Sequence, residues 1–308
     1  MQQSFQVGTP KWGTALGGMT NSVMGAPAHA IRAMILGRPK VGKSTFLQTN
    51  PDAFIFNFDV SPTVTNGPAP ATIWPGVSNE GQPIEFDGKP FIFHYKEVLR
   101  KIMVLKELAA KGQARPKTIV FDTITVWIKL LREYVTQNSV VLGLTKDEVK
   151  EFRHLDGRSA HDLVNNLIRN TILELHACGY GVYVVGHIAN AKIALADDIT
   201  SYIPELKGVS DGLWASLQGH LDLIAAFEST VQLVKEPVYS TSNPGIKTGE
   251  RTVSVSKRQI VLNSPAYAGL CGKRVRTLPD AIPLEADTAW ADFEKVYNNA
   301  LAQQKGLV

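Results

Sequence analysis

One eight-residue stretch constrains this chain more than any other: Gly37-Arg38-Pro39-Lys40-Val41-Gly42-Lys43-Ser44. It has the spacing G-x-x-x-x-G-K-[ST]. The glycines let a loop curl without Cβ obstruction, so that backbone N–H groups converge on phosphate oxygens. Lys43 adds a point charge for the outer phosphates, and Ser44 adds a hydroxyl suited to Mg²⁺. The flanks agree. Ile31-Arg32-Ala33-Met34-Ile35-Leu36 reads as a strand that stops at Gly37, and Lys43 to Leu47 reads as the start of a helix aimed at the same anion. The competing reading, a Gly-rich turn that happens to contain Lys-Ser, leaves the strand before it and the helix after it as coincidence. A strand, a phosphate-cradling loop and a helix in that order predict an α/β fold.

The length of 308 residues allows one elaborated α/β domain or two small ones. The reading adopted is an extension over residues 1–30 followed by one nucleotide-binding domain over 31–308. A hydrophobic content of 44% supplies a core, which excludes fibrous and disordered classes. No apolar run approaches the ~18 residues of a membrane span, and the N-terminus shows no secretory h-region. Cys178 and Cys271 have no paired-ligand spacing and read as reduced thiols of a cytosolic protein. A net charge of +4 is compatible with nucleic acid without requiring it. Residues 1–30, with many Gly, Ala, Ser, Thr and Gln, read as an arm docking on a neighbouring subunit or as a frayed terminus.

Further strands are predicted at Ala53–Phe58, Thr118–Phe121 and Gly181–Val185, with helices from Tyr95 to Gly112, around Trp127–Tyr134 and through Leu163–Leu175. Thr145 with Glu148, and Ser159 with Asp162, have capping-box spacing. Ala189 to Gly212 is predicted as a polar loop. Strands follow at Leu221–Phe227, Val231–Val234, Thr252–Ser256 and Ile260–Leu262, before a last helix carrying Trp290, Phe293, Tyr297 and Leu301. Alternating strands and helices imply a mostly parallel central sheet flanked by helices, with a strand-rich final third.

Three residues are delivered to the C-terminal edge of that sheet, where α/β folds place ligands. Asp122 follows Ile119-Val120-Phe121 and reads either as a second Mg²⁺ partner or as a cap of the next helix. Asp59 follows Phe54-Ile55-Phe56-Asn57-Phe58 and reads either as the base that polarises an attacking water or as a turn residue. His187 reads either as a sensor of the γ-phosphate or as a loop hydrogen-bonder. Thr123 stands where many motors carry glutamate after the metal aspartate, so a base has to come from elsewhere. Zinc chemistry lacks ligand spacing.

With these residues the chain resembles the RecA-like P-loop ATPases, and among them the phage-encoded RecA-core proteins of single-strand annealing and recombination. The likeness rests on Gly37–Thr45, Asp59, Asp122, the Val184-Val185-Gly186-His187 strand end, Arg258-Gln259-Ile260-Val261, and Gly272-Lys273-Arg274-Val275-Arg276 before Leu278-Pro279. It implies ATP and Mg²⁺ as cofactors, with ATP held by Gly37, Arg38, Pro39, Lys40, Val41, Gly42, Lys43, Ser44 and Thr45. It also implies self-association into a ring or filament, in which Lys273, Arg274 or Arg276 reaches a neighbour's γ-phosphate as a finger in trans. Single-stranded DNA would meet loops bearing Lys192 and Lys207, a single-strand-binding protein would be a partner, and the location would be the cytoplasm (a host's, for a phage protein). Asp59 departs from the glutamate that relatives carry, and the basic run departs by one residue in its spacing to Pro279. Two other classes stay open: a small-molecule P-loop kinase, and a nucleotide-binding assembly protein that does not hydrolyse.

Overall fold

An interior strand organises the molecule. In a computed structural model, the described residues are 26–58, 71–73, 85–86, 89–90, 95–194, 200–239, 247–267, 270–285 and 288–306. The chain enters through a 3-10 turn at Ala28–Ala30 and forms β1, Arg32–Gly37. Helix α1 is Lys43–Gln48, followed by β2, Ala53–Asn57, and β3, Ala71–Ile73. A small antiparallel pair, β4 (Glu85–Phe86) and β5 (Lys89–Pro90), precedes α2, Tyr95–Ala110. Then come β6 (Thr118–Asp122), α3 (Ile124–Gln137), α4 (Gly157–Ala177) and the hairpin β7 (Gly181–Ala194) with β8 (Thr200–Leu206). The final part holds α5 (Asp211–His220), β9 (Leu223–Tyr239), β10 (Lys247–Val261), β11 (Gly272–Lys273), β12 (Ala281–Leu284) and α6 (Ala289–Gln304).

The main sheet runs β12-β10-β9-β1-β7-β6-β2-β3, parallel from β9 through β3. Side chains alternate across a strand, so β1 divides its apolar residues between two cores. Ala33 and Ile35 face α1 and α6, meeting Phe46, Leu47, Trp290, Phe293 and Tyr297. Met34 and Leu36 face the layer of α2, α3, α4 and α5, which contributes Val98, Trp127, Ile168 and Leu213. The result is a mostly parallel sheet between two helical layers, as predicted. Helix α1 has only six residues, far below what holds a helix alone in water. Its anchor is Phe46, buried edge-on against Phe293 at 5.7 Å and tilted against Phe227 and Trp290. Burial of such a ring stabilises by about 1.5–3 kcal/mol.

Several expectations are corrected. Thr145–Glu148 opens no helix; the Thr145 hydroxyl instead accepts from the Asp147 N–H at 3.3 Å. Between Thr145 and Arg153 only Val149 and Phe152 are large and apolar, too few for a buried helical stripe. At α4 the N-cap is Asp156, and Ser159, inside the helix, donates to its carboxylate at 2.6 Å. The predicted polar loop over 189–212 is largely the β7–β8 hairpin and the start of α5. The short strands of the last third merge into two long ones. Residues 226–239 of β9 pair with 247–261 of β10, with one irregularity near Lys247–Gly249. Beyond Ala226, β9 no longer pairs with β1. A two-stranded ribbon therefore projects past the edge that carries the phosphate loop, with Leu233, Val234 and Val238 exposed.

Candidate active site

Strand register assembles the site. Gly37 pairs with His187 across β1 and β7, and Asn57 pairs with Asp122 across β2 and β6. Strands β1 and β6 end here. Strand β7 does not stop at His187 as expected but leaves the main sheet there and runs on to Ala194, because its backbone pairs with β8. Along this edge the order is phosphate loop, His187, Asp122.

The loop's geometry explains its glycines. Gly42 has φ 104° and Lys40 has φ 65°, both in the left-handed region that reverses the chain into α1. Gly37 is required for a different reason: a Cβ there would lie 2.7 Å from the Phe227 carbonyl oxygen. Arg38, Pro39 and Lys40 are exposed, whereas Val41, Gly42, Ser44 and Thr45 are partly buried.

Lys43 is buried, at 4% exposure. Its ammonium donates to the carbonyls of Gly37 at 2.9 Å and Arg38 at 2.7 Å, and lies 3.3 Å from His187 Nδ1. An ammonium can only donate, so Nδ1 is the acceptor and the neutral ring carries its proton on Nε2. The predicted cation and the predicted sensor are thus brought into direct contact.

Asp122 is also buried, at 4% exposure. The preceding Phe121 is stacked on Trp127 of α3 at 4.1 Å and on Phe56 of β2 at 5.0 Å, which fixes the strand end. The Asp122 carbonyl accepts from the Phe58 N–H at 2.6 Å. Thr123, not Asp122, occupies the N-cap position of α3. Asp59 lies outside the described residues.

The other predicted residues are spread out. Lys192 lies on β7, in register with Tyr202 of β8. Lys207 is exposed at the hairpin's exit, donating its N–H to the His187 carbonyl at 2.8 Å and accepting from the Thr125 hydroxyl at 3.0 Å. The basic run sits at the opposite end of the sheet, where Lys273 pairs with Leu223 at the start of β9. The Lys273 ammonium donates to the Leu278 carbonyl, and Arg274 pairs with Asp222 at 3.0 Å. The Arg276 backbone N–H donates to Gln304 Oε1 at 2.7 Å, and this residue is exposed.

Some neighbours of the site have no role in the sequence reading: Arg258 and Gln259 enter only as part of the likeness, and Glu228 and Tyr267 are not singled out. Arg258 of β10 lies against Gly42, and Glu228, just past the β9 pairing with β1, accepts from Gln259 Nε2 at 2.8 Å. The Tyr267 hydroxyl, pushed up to about 12 by burial and then by its hydrogen bond to Glu228, belongs to the same cluster. The β9–β10 register brings Glu228, Arg258 and Gln259 together, and no local motif announces it.

Against this geometry, the family model described as an AAA domain (AAA_24) matches residues 29–261. The chain belongs to this AAA domain family. Its mostly parallel sheet between helical layers, with the phosphate loop after β1, is the α/β architecture of a P-loop NTPase domain. Among solved structures, it is similar to the flagellar accessory protein FlaH from Methanocaldococcus jannaschii, with 11% identity, a TM-score of 0.34, and coverage of 90% of this chain and 91% of that one. No curated protein matches the chain. Among the described residues, no helix is long and apolar enough to cross a membrane.

Proposed function

We propose that this AAA domain protein hydrolyses Mg-ATP and that single-stranded DNA stimulates the hydrolysis, in strand annealing or recombination. The observation that carries the ATPase half is the contact between Lys43 and His187 at the edge that also presents Asp122. In this reading the Lys43 ammonium leaves the loop carbonyls for the outer phosphates, while backbone N–H groups of Gly37–Thr45 hold the rest of the chain of phosphates. His187, with its proton on Nε2, donates to the γ-phosphate and registers its loss. Asp59 is the proposed base that orients the attacking water.

The donor set suits Mg²⁺. One buried carboxylate, Asp122, and one hydroxyl, Ser44, are hard oxygen ligands, and Mg²⁺ is ordinarily held by one or two such groups plus phosphates and water. Among the described residues there is no cluster of three or more His, Cys, Asp or Glu that would hold a metal by itself. When bound, the ion neutralises charge on the phosphates.

The DNA half is supported by the resemblance and by the attachment of the β7–β8 hairpin to the site. Lys207, at the hairpin's exit, bonds both the His187 carbonyl and Thr125 of α3. A strand gripped near Lys192 and Lys207 would thus pull on the two elements that flank the γ-phosphate. Self-association would complete the site. Of the three basic candidates, Lys273 and Arg274 are tied down within their own subunit, so Arg276 is the proposed finger.

Phosphate release from Mg-ATP with and without single-stranded DNA tests the proposal. Stimulation supports it. Transfer of phosphate to a small molecule would favour a kinase, and bound but unhydrolysed nucleotide would favour an assembly protein.

A further inference from the structure

Arg258 is the residue near the phosphate loop with no assigned task. A side chain built at Gly42 would have its Cβ 3.6 Å from Arg258 Nε and 3.7 Å from Cζ, so the guanidinium flanks the loop at Gly42. Strand periodicity gives Arg258 the same face of β10 as Ile260, the face toward α1 and α6. Its neighbour Gln259 points the other way and is occupied with Glu228. Among the described residues, no carboxylate lies within ion-pair distance of Arg258. It is partly exposed. A planar cation is therefore set against the loop without a described counter-ion.

The sheet order says which part of a nucleotide it meets. His187 and Asp122 lie on β7 and β6, to one side of β1, whereas β9 and β10 lie to the other. A phosphate chain with its γ-end at His187 runs across the loop and leaves toward β10. We infer that Arg258 acts in cis as a clamp on the α-phosphate, at the nucleoside end of a bound nucleoside di- or triphosphate. The inference rests on the nucleotide-binding reading above. A guanidinium suits the task because its donors form a rigid fork that matches phosphate oxygens.

A contact at the α-phosphate is shared by ATP and ADP, and this separates it from contacts at the γ-end. The test is calorimetric titration of the full chain with Mg-ATP and with Mg-ADP, for the parent, Arg258→Gln, Arg258→Lys and Lys43→Ala. Arg258→Gln is expected to weaken both nucleotides by the same factor, about 10- to 100-fold, as for a lost charge-assisted hydrogen bond. Arg258→Lys, which keeps the charge but loses the fork, should recover part of that. Thermal midpoints without nucleotide report whether each variant is folded, and Arg258→Lys keeps the test decisive if Arg258→Gln is not. Unchanged affinity for both nucleotides in the Arg258 variants, with Lys43→Ala still defective, overturns the inference alone. A loss confined to ATP overturns it as well, by placing Arg258 at the γ-end. A parent chain that binds neither nucleotide overturns the nucleotide-binding reading itself, and the clamp with it.

Discussion

Lys43 Nζ lies 3.3 Å from His187 Nδ1, joining the phosphate loop to the middle of β7, at the last residue that pairs with β1. The same ammonium is bonded to two carbonyls of its own loop, so its charge is satisfied before any phosphate arrives. Nucleotide binding is then an exchange of partners. Lys43→Ala removes the only buried cation of the loop. Affinity for Mg-ATP should fall by at least about 100-fold, while the far-ultraviolet circular dichroism stays that of the parent. Unaltered titration curves would contradict the assignment of the loop.

His187→Gln keeps the size of the side chain but not the imidazole. Because the proposed contact is with the γ-phosphate alone, the variant should bind Mg-ADP like the parent and lose its preference for Mg-ATP. Turnover should drop by about 10²-fold, the size of a lost transition-state donor. Paired titrations and a phosphate-release assay check both parts.

Those two residues were legible in the sequence because Lys43 sits in a motif that is local in the chain and His187 follows a short apolar run, although β7 continues beyond it to Ala194. Asp122 was legible for the same reason. The core was legible in part where one period dominates. Of Tyr95, Val98, Leu99, Ile102 and Met103, which recur at helical spacing, Tyr95, Val98 and Ile102 are buried on α2. Met103 is exposed, and Leu105 takes the next core position. Other parts depend on partners far along the chain. Glu228-Ser229-Thr230 interrupts the apolar pattern of β9, yet the strand continues because its backbone pairs with β10 whatever the side chains. The β7–β8 hairpin was hidden in the same way by polar sequence. Arg258 reaches Gly42 only through that β9–β10 register, so no spacing rule could have found it.

Two glycines give stability predictions that separate loop from scaffold. A Cβ at Gly37 would lie 2.7 Å from the Phe227 carbonyl, and one at Gly181 would lie 2.1 Å from the His29 carbonyl. Both contacts are with backbone, which cannot swing aside. Gly37→Ala should cost about 1–3 kcal/mol and also impair nucleotide binding. Gly181→Ala, at the opposite end of the sheet, should destabilise at least as much while any protein that folds still binds nucleotide. Denaturant midpoints with binding titrations distinguish them.

Acid should loosen the sheet at Asp222. Burial alone would raise its carboxyl, but hydrogen bonds from the Arg32 side chain and backbone, and the charges of Arg32 and Arg274, hold it below the ordinary range. A depressed folded value means that the contribution is complete above the unfolded value near 4 and is lost as pH falls through the lower folded one. Asp222→Asn should therefore be less stable than the parent at pH 7, by about 1–3 kcal/mol, with the gap narrowing below about pH 4. Unfolding curves at several pH values check the sign; a gap that widens in acid would contradict it.

The proposed finger makes activity depend on neighbours. Turnover per subunit should rise with protein concentration, and Arg276→Ala should remove that rise while leaving nucleotide affinity nearly unchanged. A finger of this kind supplies about 10³- to 10⁵-fold in related phosphoryl transfer. Activity per subunit that is flat across concentration would exclude it.

The most direct test of the account is steady-state phosphate release from Mg-ATP by the parent and by Asp122→Asn, each with and without single-stranded DNA. The account predicts that the parent hydrolyses ATP and is accelerated by the DNA, while Asp122→Asn still binds nucleotide but turns over at least about 10²-fold more slowly in both conditions. Equal rates for parent and variant, or a parent whose rate the DNA leaves unchanged, would contradict it.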